Sequence, residues 1–203
     1  MLLKVHPENP SERLILKACE VIQKGGILVY PTDTVYALGC DINNHKAVDR
    51  IARLKGVKLN KADFSFIFSD LSQVSDYARL ISNSVFKMMK ASLPGPYTFI
   101  LPARNNVPRI FHSSKKTIGI RIPDNKIPLA IVRELRHPIM TTSIHDEDEL
   151  IEYTTDPELI WENFKDKVDA VIHGGYGNNE PSTVIDCTNE EPVVIRMGIG
   201  PVD

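Results

Sequence analysis

Apolar and polar positions along the chain follow two periods, and the switches between them divide it into short helices and strands. Leu14, Ile15, Ala18, Cys19, Val21 and Ile22 recur at helical spacing. Asn9-Pro10-Ser11 reads as the start of that helix, with Pro10 at its first position, and Gly25-Gly26 closes it. Gly26 to Tyr30 is a short continuous apolar run, the signature of a buried strand. Asn44 predicts the cap of a second helix carrying Ala47, Val48, Ile51, Ala52 and Leu54. Phe64 to Phe68 reads as a strand, and Ser69 to Tyr77 and Ser82 to Leu93 as helices, the latter stopped by Pro94-Gly95-Pro96. Tyr97 to Pro102 and Ile118 to Ile122 are β-like, Pro128 to Leu135 helical, and Ile139 to Thr142 a short strand. Pro157 to Phe164 predicts a helix and Val168 to Ile172 an apolar strand. Thr183 to Cys187 and Val193 to Met197 predict a closing hairpin. The pattern is mixed α/β throughout, with no linker and no internal repeat.

Length adds one constraint: 203 residues suit one domain, expected over 1–203, with room for a full core. The hydrophobic fraction of 42% and charged fraction of 25% are those of an ordinary soluble protein. No apolar run approaches the length of a membrane span, and the N-terminus lacks the basic and apolar regions of a signal peptide. Cys19, Cys40 and Cys187 are too widely spaced for a metal pair or a disulfide framework, so each is expected as a small buried apolar residue. A reducing cytoplasm is the expected location. The net charge of −2 argues against a general nucleic-acid binder. Locally, Arg50, Arg53, Lys55, Lys58 and Lys61 crowd together, either as a solvated helix face or as a holder of polyphosphate.

Candidate chemistry concentrates after Tyr30. Pro31 stops the strand, and Thr32, Asp33 and Thr34 emerge at its C-terminal end, where open α/β sheets bind ligands. Gly39 is expected to let the backbone turn there. Two hydroxyls and a carboxylate suit a polar ligand, and they equally suit a capped turn. No Walker A sequence, G-x-G-x-x-G, H-E-x-x-H or G-x-S-x-G elbow occurs. Gly174-Gly-Tyr-Gly177 reads as a tight turn. The histidines share no ligand spacing, so no protein-bound metal is assigned. Chemistry is then expected from positioning and fixed positive charge rather than from a nucleophile.

Seven segments in order carry a family resemblance: Tyr30 to Cys40, Leu54-Lys-Gly56, Leu93-Pro-Gly-Pro-Tyr-Thr98, Ile118-Gly-Ile-Arg-Ile-Pro123, Thr141-Thr-Ser143, Pro181-Ser-Thr-Val-Ile-Asp186 and Val194-Ile-Arg-Met-Gly198. The set resembles the YrdC/YciO family, whose members include threonylcarbamoyl-AMP synthases. Lys116-Thr-Ile-Gly119, Ile172-His-Gly-Gly-Tyr176 and Thr183-Val-Ile-Asp186 place it nearest the YciO branch. The resemblance implies a single-domain, twisted, open mixed sheet with flanking helices and a concave, positively charged cleft. It implies a reaction in which the amine of L-threonine captures bicarbonate as an N-carboxylate. That carboxylate attacks the α-phosphate of ATP to give threonylcarbamoyl-AMP and pyrophosphate for tRNA modification; Mg2+ is expected with ATP on general grounds, since the departing pyrophosphate needs its charge masked. The alternative is a YciO-type nucleotide- or double-stranded-RNA-binding protein with weak or no synthase activity.

On that resemblance Lys55 and Arg121 are the expected catalytic residues, with Lys55 on phosphate and Arg121 on a carboxylate or phosphate. Thr32 and Thr34 would cradle threonine. Lys58, Lys61, Thr98, Ser143, Ser182, Thr183 and Arg196 would contact substrate, chiefly phosphate and ribose. Lys61 reads equally as a surface charge, and Thr98 and Thr183 as plain strand residues. Arg121 lies in an apolar strand, where a charge needs a partner. Two positions depart from the synthases. Their K-x-R reads Lys55-Gly56-Val57 here, and their S-x-N reads Ser143-Ile144-His145. Lys58 would replace the missing charge without the guanidinium fork. The chain also ends at Asp203, so the extra C-terminal domain of some family members is not expected.

Overall fold

The computed structural model describes residues 1–59, 64–79, 82–111, 116–144 and 154–202. Its centre is a 10-stranded mixed sheet in the order β1-β8-β2-β3-β7-β4-β6-β5-β9-β10. The strands are β1 Leu2–Lys4, β2 Leu28–Tyr30, β3 Ala37–Asp41, β4 Ser65–Ile67, β5 Tyr97–Pro102, β6 Thr117–Arg121, β7 Ile139–Ser143, β8 Ala170–His173, β9 Thr183–Asp186 and β10 Val193–Arg196. Parallel pairs (β1 with β8, β8 with β2, β4 with β6, β5 with β9) mix with antiparallel ones. The helices are α1 Glu12–Gln23, α2 His45–Leu54, α3 Leu71–Val74, α4 Asn83–Ser92, α5 Lys126–Leu135 and α6 Pro157–Phe164.

Helix ends follow local chemistry. The Asn44 side chain accepts the Ala47 N–H, the Ser82 hydroxyl that of Val85, and the Asp156 carboxylate that of Glu158. Each satisfies a donor that the first turn leaves free. The start of α1 is displaced from expectation. Its N-cap is Ser11, without a side-chain bond, and Pro10 stands outside the helix. The expected helix over 69–77 shortens to α3, since Tyr77 and Ala78 leave it to approach the strand edge at Ala103. Two strands lacked a readable signal. β1 is three residues long, and β3 lies inside the segment read as a loop. Gly39 accordingly makes no turn. It sits mid-strand opposite Leu28 and Thr141, where a Cβ would stand 2.6 Å from the Tyr30 ring.

The two faces of the sheet are covered unequally. One face packs on α2, α3, α4 and α6 through Ile51, Val74, Met89 and Phe164, against Leu38, Phe66, Ile120 and Phe99. The other packs on α1 and α5 through Ile22, Ile127 and Ile131, against Leu28, Tyr30, Ile67 and Ile139. Those two helices cover only the half of the second face near β2. Residues opposed in a ladder share a face, so Ser65, Gly119 and Ile100 continue that face across β4, β6 and β5. All three are half-buried, whereas Phe66, Ile120 and Phe99 on the covered side are at most 2% exposed. Among the described residues, the sheet therefore has an open face beside α5. Among the described residues, no helix is long and apolar enough to cross a membrane.

Candidate functional site

The loop joining β2 to β3 stands at the inner edge of that open face. Arg121, the last residue of β6, has 9% of its side chain exposed, and so does Asp33. Arg121 Nη2 donates to Asp33 Oδ1 and to Thr34 Oγ1, both at 3.0 Å. Asp33 Oδ2 accepts the Asp124 N–H at 3.0 Å, which ties the loop to the start of α5. The buried charge expected to need a partner thus finds one 88 residues away in the same chain. Arg121 Nε, buried, has no hydrogen-bond partner among the described residues.

Proton accounting gives the two threonines different roles. Thr32 donates its hydroxyl proton to Val35 O at 2.7 Å, and its oxygen accepts the Thr34 N–H at 3.0 Å. The Thr32–Thr34 hydroxyl contact at 3.0 Å must then carry the Thr34 proton. Thr32 is saturated, with one bond donated and two accepted. Thr34 donates one and accepts one from Arg121, so its oxygen keeps a single acceptor site. The directed chain runs Arg121, Thr34, Thr32, Val35 O, and of the two threonine hydroxyls only that of Thr34 keeps an unused acceptor site.

A pocket of about 450 Å3 opens on this loop, lined by Thr32, Asp33, Thr34, Thr155, Tyr176, Gly177, Asn178 and Asn179. Its second wall is the segment after β8. Asn178 N donates to Thr34 O at 3.0 Å, and the Tyr36 hydroxyl donates to Gly175 O at 2.6 Å while accepting from Gly174 N at 3.2 Å. Burial pushes the Tyr36 hydroxyl up to about 12, so it stays a donor at any physiological pH. Gly174 permits the close approach, since a Cβ there would lie 2.6 Å from the Pro31 ring and 2.7 Å from Ile127. Gly174 to Gly177 does turn after the strand as expected, with Gly175 at φ +95. That the same turn walls the pocket was not legible, because the signal required knowing that Tyr36 faces it. Asp33, recognised as polar, gains its role only from Arg121.

A second polar group occupies the same face further out. Thr98 and Ser182 share a hydrogen bond of 2.8 Å between their hydroxyls, both buried. Arg196 is fastened to Ser182 through Nε and Nη2, at 3.2 and 2.9 Å to the carbonyl. One step along the register from Phe99–Ile120 sets Thr98 opposite Arg121, which makes the two groups neighbours across β5 and β6. Thr183 has the opposite parity. Its hydroxyl donates to Gly200 O at 2.6 Å and accepts from Gly198 N at 3.0 Å, pinning the C-terminal segment on the other side of β9. Ser143 ends β7, half-buried, opposite Ala37. Lys55 is the half-buried C-cap of α2, and Lys58 is exposed beyond it. Neither lines the pocket. Lys61 and His145 lie outside the described residues.

The three cysteines are buried free thiols. Burial raises Cys19 and Cys187 to about 11, and Cys40 further, so all remain protonated and packed at neutral pH.

The mixed α/β sheet with its flanking helices is a fold that known proteins share. The model of the Sua5/YciO/YrdC family, described as "Telomere recombination", matches residues 20–198, and the chain belongs to this family. Escherichia coli YciO is 43% identical over 200 residues, covering 98% of this chain and 95% of that protein. Its crystal structure superposes with a TM-score of 0.92, over 99% of this chain and 97% of that one. A threonylcarbamoyl-AMP synthase of Nitrosococcus oceani is 34% identical over 134 residues, 66% of this chain and 71% of that protein. Pyrococcus abyssi Sua5, crystallised in complex with L-threonine, superposes with a TM-score of 0.87 at 29% identity, over 98% of this chain and 57% of that one.

Proposed function

We propose that this protein is a threonylcarbamoyl-AMP synthase-like nucleotidyltransferase, acting on L-threonine, bicarbonate and ATP. The reading rests chiefly on one observation: Thr34, fully buried and held by Arg121 and Thr32, lines the floor of a polar pocket, and its oxygen keeps one acceptor site that the chain does not use. A threonine ammonium is a donor of the right kind for it. The family includes synthases, and its Sua5 member from P. abyssi was crystallised with that amino acid. In the reaction the amine attacks bicarbonate and water leaves, forming an N-carboxylate. Its oxygen then bonds the ATP α-phosphorus as the bond to the β-phosphate oxygen breaks. This chemistry calls for charge and alignment rather than a protein nucleophile. Arg196 would supply positive charge on the open face, Lys55, Lys58 and Lys61 would hold phosphate as the family resemblance implies, and Mg2+ would arrive with the triphosphate. Thr98, Ser143 and Ser182 would offer hydroxyls to phosphate or ribose. The product would serve tRNA modification in the cytoplasm.

A second reading has its own observation. Val57, where the synthases carry an arginine, is 40% exposed, and the adjacent Lys58 is exposed too. A nucleotide- or double-stranded-RNA-binding protein with weak or no synthase activity would tolerate that loss. Pyrophosphate release from ATP with bicarbonate and L-threonine separates the two. Threonine-dependent release, lost in Lys55→Ala and Thr34→Val, supports the synthase. No release with any amino acid, alongside measurable ATP or RNA binding that weakens steeply with salt, leaves the binding protein.

A further inference from the structure

A second pocket, of about 560 Å3, is lined by Arg79, Arg104, Asn105 and Asn106 and shares no residue with the first. A lone antiparallel bridge creates it. Ala78 stands opposite Ala103, with Arg79 N donating to Pro102 O and Arg104 N to Tyr77 O, both at 2.7 Å. Residues one step past a bridge pair project on the face opposite to it. Arg79 and Arg104 therefore leave the bridge on the same side, diagonal to one another. Arg104 Nε donates to Ala78 O at 2.6 Å, which fixes the base of its guanidinium and leaves the two terminal nitrogens free of described partners. The Arg79 guanidinium has no described partner either. Asn106 Nδ2 donates to Asp76 O at 3.0 Å, holding the far side of the pocket to the turn that precedes Arg79.

Among the described residues the lining is thus two guanidiniums and two carboxamides, with no carboxylate. Neighbouring guanidiniums repel, and an anion between them removes the repulsion while accepting forked, charge-assisted bonds. Among the described residues the lining also has no aromatic ring or aliphatic wall to hold a base or an acyl chain. We infer that this pocket is a phosphate-binding site, separate from the open face of the sheet. Its phosphate comes either from free pyrophosphate or from a polynucleotide backbone. The inference does not depend on the synthase reading.

The test is an amide-resolved NMR titration of the full chain with sodium pyrophosphate, repeated with a short RNA duplex. Saturable shifts at Asp76, Tyr77, Arg79 and Ala103 to Asn106 are expected from at least one ligand. In the R79Q/R104Q variant they should require at least about tenfold more ligand. Both arginines are exposed, so that variant should keep the wild-type spectrum elsewhere. Shifts from pyrophosphate alone assign a small-anion site, and shifts from RNA alone assign a backbone contact. The inference is overturned if neither ligand moves these amides, or if both variant and wild type respond alike.

Discussion

Asp33 and Arg121 form a buried ion pair, N to O 3.0 Å, between the β2–β3 loop and the end of β6. The pair fixes the loop against the sheet, since the second oxygen of Asp33 also takes the Asp124 amide. Removing either partner strands a charge with 9% of its side chain exposed. Asp33→Ala and Arg121→Met should each cost about 3–5 kcal/mol in urea denaturation. The double variant should lose clearly less than the sum. Additive losses would show that the pair carries no coupling.

Thr34 and Thr32 should separate in function. Thr34→Val removes the one spare acceptor and should abolish threonine binding measured by calorimetry, while Thr34→Ser should retain it. Thr32→Ser keeps the proton chain and should leave affinity within a few-fold. Equal loss in Thr34→Val and Thr34→Ser would mean that the methyl group, not the hydroxyl, meets the ligand.

The hydroxyl pair Thr98–Ser182 is buried and anchors Arg196 on the same face. Thr98→Val leaves the Ser182 hydroxyl short of a partner and should cost about 1–3 kcal/mol. If Arg196 holds nucleotide, the same variant should weaken ATP binding without changing that for threonine. An unchanged thermal midpoint would indicate that the pair contributes nothing to stability.

Gly39→Ala should destabilise by about 1–3 kcal/mol, because its Cβ would meet the Tyr30 ring at 2.6 Å and Met140 O at 3.0 Å. Tyr30 cannot move freely, since its hydroxyl bonds Thr141 Oγ1 at 2.6 Å inside the core. A Tyr30→Phe background should lower the cost, since it removes both the bond that holds the ring and the hydroxyl that the Cβ would meet at 3.1 Å.

Stability should fall on the alkaline side. Cys19 and Cys187 are raised by burial from 9.0 to about 11, and Tyr36 from 10.0 to about 12. The unfolded chain therefore releases these protons first, and the folded state binds more of them above pH 9. The urea midpoint should hold below that pH and decline between about pH 9 and 12. Replacing Cys19 by Ala should flatten the first part of the decline. A midpoint independent of pH up to 11 would contradict the burial of these groups.

Periodicity was enough for the elements whose neighbours decide little. Tyr97–Pro102 and Pro157–Phe164 occur over the spans expected of them, and Asn44 caps its helix. Here the preferences of adjacent residues, capping chemistry and prolines act within a few positions. The ordered motifs likewise placed the chain in its family, because they are properties of the sequence. β3 was not legible. Its Ala-Leu-Gly-Cys-Asp run carries a glycine that reads as a turn, and only the Tyr30 ring packed over it explains why a strand needs one there. The site divides in the same way. That Thr32, Thr34 and Arg121 matter was readable, but which hydroxyl keeps an acceptor depends on proton directions set by Val35 O and Arg121 together. The sequence by itself determined the local elements and the family. Tertiary structure alone decided the partner of Arg121, the saturation of Thr32 and the face left open, because each depends on groups that only the folded sheet brings within hydrogen-bond distance.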